Sequence, residues 1–297
     1  MATPEQPLLV VALGGNALNP PAQDQSYAAE RTAASHAGQQ LAALAQQGWR
    51  LLVVHGNGPQ VGRLLADEAD TAHLDIQVAQ TQGELGYLLA ESLELACGQP
   101  TCALLTRALV DPADPAFAHP SKPIGPLLPV QPVHGTSVQL AGGWRRTVAS
   151  PRPLQVVETA AIAALLHTQH VIAGGGGGIA ISRAGASSQG QAGVIDKDWI
   201  AARLAIELQA QALVFATNVA GVEAGHGTPR ARVYPRLSLD RARALLAQGE
   251  LGAGSMAPKV ESAADFVAAT GRTARIVHSD FLAQALEPTG IGTLIES

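Results

Sequence analysis

The sequence has few charged and few aromatic side chains. Of its 297 residues, 14% are charged, 3% are aromatic and 47% are hydrophobic, and the formal net charge is −5. A chain of this length and composition can bury a large core, as one large α/β domain or two smaller ones. Because it has few aromatic rings to stack on bases and no block of like charge, the sequence argues against nucleic acid as a partner.

Long apolar runs and cysteine pairs are also missing. No run approaches the length of a transmembrane helix, and residues 1–13 lack a basic segment followed by a long apolar stretch. We therefore expect a cytoplasmic protein that does not bind membranes. Cys97 and Cys102 lack the CxxC spacing, and we expect both to be reduced. His167 and His170 have no carboxylate or cysteine cluster beside them, so we expect no metal site built by the protein.

Lysine is the scarcest cation in the chain. The 19 basic residues are 16 arginines and only three lysines, Lys122, Lys197 and Lys259, and each lysine lies in a motif rich in glycine or proline. A lysine ammonium is a compact and mobile charge, which suits a group that must follow the charge on a transferred phosphoryl group. We therefore regard these lysines as candidate functional residues.

The most informative stretch runs from His170 to Trp199. Its apolar start ends in five consecutive glycines, residues 174–178, and it closes on Asp196-Lys197-Asp198. Each glycine adds about 0.4 to 1 kcal/mol of unfolded-state entropy, so such a run is expected where bare backbone must approach a ligand closely. Asp196 is a suitable N-cap. Lys197 would then lie in the first helical turn, where a cation is disfavoured, which indicates a facing anion; the alternative is a solvated charge cluster.

Three predicted strands end in glycine-rich turns. Residues 8–13 precede Gly14-Gly15-Asn16, residues 51–54 precede a turn that contains Gly56, Asn57 and Gly58, and the third strand precedes the five glycines. In open α/β sheets, ligands bind beyond the carboxyl ends of the strands. We therefore expect the three turns to converge on one anionic ligand.

Hydrophobic periodicity predicts the remaining elements. Helices are predicted over residues 27–47, 76–97 (as one or two helices), 158–166 and 238–246, with another beginning at about residue 254, where Ser255 can act as the cap. Strands are predicted over residues 101–110, 213–216, 274–277 and 291–295, and residues 217–234 are predicted to form a loop or hairpin.

Proline is concentrated in one segment. Nine of the 19 prolines lie between Pro112 and Pro153, together with Lys122. A stretch of this length without clear periodicity is either a disordered insert or a functional lid. Its mixture of apolar and cationic residues favours a lid that contains short hairpins.

Common nucleotide-binding motifs do not account for the glycine-rich turns. The pattern GxxxxGK[ST] is absent, and the Rossmann-like match at Gly175, Gly177 and Ala180 is followed by Ile-Ala-Ile where a helix should begin. Convergent backbone amides, three lysines and a pair of aspartates remain. This combination suits phosphoryl transfer, because catalysis there consists mostly of positioning and charge neutralisation.

These residues resemble the carbamate kinases of the amino acid kinase superfamily over essentially the whole chain. The resemblance rests on residues 10–17 (VVALGGNA), 55–62 (HGNGPQVG), 81–83 (TQG) with 86–87 (GY), 111–114 (DPAD), 122–126 (KPIGP), 143–145 (GWR), 194–198 (VIDKD) and 254–256 (GSM) with 258–259 (PK). Relatives such as the acetylglutamate and uridylate kinases place a lysine where this chain has Ala12. Carbamate kinases replace that charge with the lid lysine, here Lys122.

The resemblance implies a homodimeric three-layer α/β/α sandwich with a mostly parallel open sheet. It implies a single domain over residues 1–297 with a protruding lid at residues 112–157, an acceptor-side lobe over residues 1–168 and a nucleotide-side lobe over residues 169–297. The implied reaction is reversible phosphoryl transfer, in which ATP and carbamate give ADP and carbamoyl phosphate. Magnesium would be bound through the ATP phosphates, and many family members make ATP this way during arginine or purine breakdown.

The same resemblance implies roles for individual residues. The catalytic group would comprise Lys122, Lys197, Lys259, Asp196 and Asp198. The acceptor and the transferred phosphoryl group would be held by Gly14, Gly15, Asn16, Gly56, Asn57 and Gly58. The nucleotide would be bound by Gly175, Gly176, Thr217, Asn218, Val222, Ser255 and Met256.

Two alternatives remain at this point. One is a superfamily kinase that phosphorylates another small carboxylate. The other is a catalytically weak, nucleotide-binding regulatory protein that has kept the fold.

Overall fold

The computed structural model describes residues 6–14, 18, 26–65, 71, 73–224, 231–251, 256–287 and 290–297. The helices are α1 Tyr27–Gln46, α2 Gly58–Leu64, α3 Leu74–Cys97, α4 Thr159–Leu166, α5 Lys197–Glu207, α6 Leu239–Ala247 and α7 Met256–Thr270. The strands are β1 Leu8–Leu13, β2 Arg50–His55, β3 Thr101–Ala103, β4 Arg107–Val110, β5 Lys122–Leu128, β6 Thr136–Leu140, β7 Gly143–Val148, β8 Pro153–Val156, β9 His170–Ile172, β10 Ile179–Ala184, β11 Ser187–Val194, β12 Ala212–Thr217, β13 Glu223–Ala224, β14 Arg232–Val233, β15 Arg236–Ser238, β16 Ala274–His278 and β17 Thr293–Glu296. Short 3-10 turns lie at Pro115–Phe117, Gly175–Gly177 and Ser279–Gln284.

The main sheet has eight strands in the order β15-β17-β16-β12-β1-β2-β9-β3. Every neighbouring pair is parallel except β16 and β17. Leu9 in β1 pairs with Ala212 on one side and with Leu51 on the other. The chain moves from β1 towards β2 first and reaches β12 on the opposite side later, so the strand order reverses between β1 and β12. Ligands bind at such reversal points in open α/β sheets.

Helices cover both faces of this sheet. Successive side chains of a strand point to opposite faces, and in β1 Val10 and Ala12 belong to a different buried cluster from Leu9 and Val11. The first cluster is completed by α4, α5, α6 and α7, and the second by α1 and α3. The predicted three-layer sandwich with a mostly parallel sheet is therefore confirmed.

Most predicted elements lie within two residues of the observed ones. The region predicted as one or two helices is a single helix, α3, of 24 residues. The single strand predicted over residues 101–110 is wrong, because β3 belongs to the main sheet and β4 to a second sheet, in the order β11-β10-β4-β8. The break lies at Thr106, whose amide donates to Oε1 of Gln82 at 2.8 Å. This contact with α3 directs the chain away from the main sheet.

The lid segment, residues 112–157, contains a three-stranded antiparallel sheet in the order β5-β7-β6. Its base is seated in a third buried cluster, where Ile124 and Val148 pack with Val61 of α2 and Val78 of α3. The division into two lobes at residue 168 stays a prediction. Strand β9, which follows that residue, lies between β2 and β3.

Two further features complete the fold. Strands β13 and β14 form the hairpin that was one of the alternatives predicted for residues 217–234. Within the described ranges, no helix is long and apolar enough to cross a membrane.

Candidate active site

The carboxyl ends of β1, β2 and β12 meet at one edge of the main sheet. The amide of Gly14 donates to the Ala216 carbonyl at 3.0 Å, and the amide of Gly56 donates to the Leu13 carbonyl at 3.1 Å. Both bonds continue the parallel ladder beyond the strands. The turns after β1 and β2 therefore lie side by side, and these two amides are engaged by the sheet. The roles of Gly14 and Gly56 in holding the acceptor and the phosphoryl group stay predictions.

Three residues of the predicted site, Gly15, Asn16 and Ser255, lie outside the described residues. Gly58 is described and is the first residue of α2, a short helix with Asn57 at its N-cap position. Met256 begins α7 and packs partly buried against the core.

The glycine run is required by close approach of other elements. Gly176 has φ +62°, and a Cβ at this position would lie 2.1 Å from Nδ2 of Asn57. A Cβ on Gly177, where φ is +85°, would lie 2.2 Å from the carbonyl oxygen of Ile195. A side chain at either position would clash and would also strain the backbone. The run thus lets the backbone after β9 pack between the turn after β2 and the start of α5.

Two side chains of α3 hold these turns in place. Asn57 does not use its amide to cap α2; its Nδ2 donates instead to Oγ1 of Thr81 at 2.9 Å. Gln82 donates from Nε2 to the Gly175 carbonyl at 2.8 Å. Thr81 and Gln82 belong to a family motif in the sequence, but sequence reasoning gave them no role. Their polar side chains, about one turn before the Gly86-Tyr87 pair, were the available signal in the sequence.

The N-terminus of α5 has the predicted cap. The Oδ1 atom of Asp196 accepts a hydrogen bond from the Asp198 amide at 3.0 Å. Lys197 therefore lies in the first turn, as predicted. Its ammonium group is bound to Oδ1 of Asp198, and the other oxygen of the same carboxylate lies 3.1 Å from Nζ of Lys259 in α7. One carboxylate thus joins the lysines of two helices.

Lys122 of the lid segment reaches the same place. Its Nζ donates to the Ile195 carbonyl at 2.9 Å and lies 3.4 Å from Oδ2 of Asp196. The structure therefore brings all three lysines of the chain to the N-terminus of α5. Lys197, Asp198 and Lys259 are 8%, 1% and 3% exposed, so the alternative of a solvated charge cluster is wrong.

Burial and charge act against each other at this cluster. Burial alone would raise the pKa of the Asp196 carboxyl, but the ammonium groups of Lys122 and Lys197 outweigh burial and lower this pKa. Burial lowers the pKa of Lys197, and the attraction of Asp198 offsets this only in part. For Lys259, burial is outweighed by Asp198 and Asp196, so its pKa is raised. The cluster holds three ammonium groups against two carboxylates, an excess that favours an anion.

The carboxylates of this cluster are poor candidates for a metal centre built by the protein. Both oxygens of Asp198 are bound by lysines, and Asp196 caps α5 and faces Lys122. In the described part of the chain, no group of three or more His, Cys, Asp or Glu side chains is arranged to hold a metal ion.

His55 is a further candidate that sequence reasoning did not single out by itself. It ends β2, it is buried, and its Nδ1 lies 3.2 Å from the Gly56 carbonyl oxygen. Burial lowers the pKa of its imidazole to about 4, against the effect of that carbonyl. A Cβ on Gly175 would lie 2.3 Å from Nε2 of His55. A neutral imidazole therefore packs directly against the glycine run.

Three of the predicted nucleotide-binding residues lie at or shortly after the end of β12. Thr217 ends β12 close to Gly14, and Asn218 after it is exposed. Val222 is fully buried in the core, and its amide donates to Oγ1 of Thr293 at 2.8 Å. Its side chain therefore forms no part of an open surface, and its place at the nucleotide stays a prediction.

Comparisons with known proteins agree with this geometry. The sequence model of the amino acid kinase family matches residues 7–278. A carbamate kinase from Halobacterium salinarum is 38% identical, with 96% of this chain and 97% of the relative covered. The carbamate kinase-like protein YqeA from Escherichia coli is also 38% identical, with 90% of this chain and 92% of the relative covered.

A solved structure has the same fold. The carbamate kinase from Giardia lamblia bound to AMP-PNP superimposes with a TM-score of 0.86 at 31% identity, with 98% of both chains covered. The family match spans most of the chain, and the sequence and structural likenesses both extend over nearly its full length. The chain therefore belongs to the amino acid kinase family and, within it, to the carbamate kinases.

Proposed function

We propose that this protein is a carbamate kinase that reversibly transfers a phosphoryl group between ATP and carbamate, giving ADP and carbamoyl phosphate. The observation that carries the proposal is the shared binding of Lys197 and Lys259 by Asp198, beside Lys122. Its use for making ATP in arginine or purine catabolism stays a prediction, as does its cytoplasmic location.

The charges of the cluster suit this chemistry. Carbamate is already an anion, so its oxygen can attack the γ-phosphorus without a general base. The bond from that phosphorus to the bridging oxygen breaks, and ADP takes the electron pair. Phosphoryl transfer then needs positioning and neutralisation of the charge on the moving group. Lys197 and Lys259 supply charge from the nucleotide side of the site, and Lys122 supplies it from the lid segment.

The turns contribute the binding surface around this charge. In the proposed site, the backbone amides of Gly175 and Gly176 would bind phosphate oxygens. Thr217 and Asn218 lie at the end of β12, beside Gly14. A nucleotide would bind there because the strand order reverses at this point. AMP-PNP, found in the Giardia lamblia enzyme, is an analogue of ATP, which supports ATP and ADP as the nucleotides. Magnesium would be bound by their phosphates.

A coupled assay tests the proposal. Purified protein is supplied with carbamoyl phosphate, ADP and magnesium, and ATP formation is followed through hexokinase and glucose-6-phosphate dehydrogenase. We expect turnover, and the same enzyme should form ADP from ATP and carbamate. Acetyl phosphate and other acyl phosphates are tested in parallel. Turnover of one of these without turnover of carbamoyl phosphate would favour a kinase for another carboxylate, and nucleotide binding without any turnover would favour a regulatory protein.

We also propose that the enzyme is a homodimer formed through the β3 edge of the main sheet. Strand β3 is one of the two edges of the main sheet, the other being β15, and an open edge of this kind is a site for association. Tyr87 of α3 and Leu105 after β3 are exposed and line one cavity. Light scattering coupled to size exclusion should give a dimer mass. Leu105→Asp should shift it towards monomer, whereas Val133→Asp, at an exposed position of the lid segment, should leave it unchanged.

A further inference from the structure

Arg152 follows the three-stranded sheet β5-β7-β6 of the lid segment, which we call the lid sheet, and its side chain contacts two helices. Its guanidinium carbon is 3.7 Å from the centroid of the Trp199 ring in α5. Its Nη2 is 2.6 Å from Oε1 of Glu261 in α7. Trp199 donates from Nε1 to the other oxygen of Glu261 at 3.1 Å. These three side chains, which we call the stem triad, are joined around one carboxylate.

The main chain of Arg152 joins the two connections that lead into and out of the lid sheet. Its amide donates to Oδ2 of Asp114 at 2.8 Å. Asp114 lies before the lid sheet and caps the turn Pro115–Phe117 through its other oxygen. Arg152 follows the last strand of that sheet, so the two connections to the lid sheet are held together at this residue.

Each residue of the stem triad lies close, along the chain or across the lid sheet, to one of the three lysines. Trp199 lies two residues after Lys197 in α5, and Glu261 lies two residues after Lys259 in α7. In the lid sheet, Lys122 is paired with Val148, four residues before Arg152. The lid segment therefore contacts the start of α5 at two points, through Lys122 at Ile195 and through Arg152 at Trp199.

The surroundings of the triad argue against a purely stabilising role. The side chains of Arg152 and Glu261 are 52% and 34% exposed, and an arginine–glutamate pair this exposed contributes little to the stability of a fold. A guanidinium that both stacks on an indole and pairs with a carboxylate is, however, fixed in direction as well as in place. Such a contact fixes the position of the lid sheet relative to α5.

We propose that Arg152 is a positioning residue: it holds the last strand of the lid sheet against α5 and α7 and thereby fixes Nζ of Lys122 over the N-terminus of α5. This inference rests on the proposed phosphoryl transfer, in which Lys122 acts on the transferred group. A displacement of a catalytic group by about 1 Å can lower a rate by about a hundredfold, so loss of the stem triad should affect turnover more than folding.

The test compares Arg152→Ala and Arg152→Lys with Arg236→Ala. Arg236 forms an exposed pair with Glu296 at 2.9 Å on the outer strand of the main sheet, so it controls for loss of an exposed ion pair. We expect Arg152→Ala to lower kcat by about tenfold or more with a smaller change in KM for ADP. Lysine keeps the charge but not the planar stack, so Arg152→Lys should recover part of the loss. Arg236→Ala should stay within about twofold of the unchanged enzyme.

A double variant separates positioning from a general structural effect. If Arg152 acts through Lys122, then adding Arg152→Ala to Lys122→Ala should lower kcat by less than about twofold, because coupled residues are not additive. An equal loss in both backgrounds would overturn the proposal, and so would a single Arg152→Ala variant with unchanged kcat.

Hydrogen exchange of the lid sheet distinguishes this proposal from the proposed function. The amides of β5 and β7 should exchange faster in Arg152→Ala than in Arg236→Ala. If the unchanged protein lacks carbamoyl phosphate turnover but this difference is found, the proposed function is wrong and the holding of the lid sheet stands. Equal exchange in the two variants would overturn the inference whatever the activity.

Discussion

Lys259 and Asp198 form a buried ion pair, with Nζ 3.1 Å from Oδ2 and side chains that are 4% and 2% exposed. The other oxygen of this carboxylate binds Lys197. A single acidic group therefore compensates two ammonium groups in a site that excludes most water. This sharing supports the proposed position of phosphoryl transfer, because an incoming phosphate can supply the charge that the protein leaves uncompensated.

The substitution Asp198→Asn should leave both lysines without a carboxylate partner. Removing one partner of a buried pair costs about 3 to 5 kcal/mol, so we expect a lower melting temperature together with loss of turnover. Inorganic phosphate should raise the melting temperature of this variant more than that of the unchanged protein. Asp240, at an exposed first-turn position of α6, provides the control Asp240→Asn. Equal effects of phosphate on all three proteins would contradict the role of Asp198.

Replacing either buried lysine should abolish most activity. Lys197→Met and Lys259→Met should each lower kcat by roughly a hundred- to a thousandfold, the scale for losing one oriented charge-stabilising group. The two should differ in stability. Burial lowers the pKa of Lys197, whereas the carboxylates outweigh burial and raise the pKa of Lys259. Chemical denaturation at neutral pH should therefore show the smaller loss for Lys197→Met. A smaller loss of stability for Lys259→Met than for Lys197→Met would contradict these opposite pKa shifts.

Substitutions at Gly176 and Gly185 separate the effect of close packing on activity from the effect of backbone strain. Gly176 has φ +62° and lies against Asn57, whereas Gly185 has φ +59° and open space, with no atom within 4 Å of where a Cβ would lie. Alanine at either site should cost about 1 to 2 kcal/mol for the left-handed conformation. Only Gly176→Ala should also displace Asn57 from Thr81 and lower kcat, by about tenfold or more. Similar kcat values for the two variants would remove Asn57 from the mechanism.

Glu84 in α3 should make stability depend on pH. Burial, with a further contribution from Glu30, raises its pKa from 4.5 to about 7, although Arg63 acts in the opposite direction. The folded protein thus binds this proton more tightly than the unfolded chain, and stability is lost as pH rises from about 4.5 to about 7. Glu84→Gln removes that loss, so its melting temperature relative to the unchanged protein should increase across this range. Glu91→Gln, at an exposed position of the same helix, controls for the substitution itself; a flat difference for Glu84→Gln would refute the prediction.

The sequence determined the features that depend on neighbouring residues. Continuous apolar runs predicted β1 and β2, and helical apolar spacing predicted α1 and α5, because both patterns lie among neighbouring residues. The cap at Asp196 and the first-turn place of Lys197 could also be predicted, since both follow from the positions next to the helix start. The scarcity of lysine marked all three lysines of the cluster before any distance was known.

Only the tertiary structure decided which distant groups meet, because the contacts between them have no local pattern. The sequence did not predict that Asp198 would be shared with Lys259, which lies 61 residues away, nor that Gly176 would need to be bare because of Asn57. It also failed where a distant side chain overrode a strand pattern, as Gln82 does at Thr106. Propensity and spacing act over a few residues, whereas packing fixes the distances on which phosphoryl transfer depends.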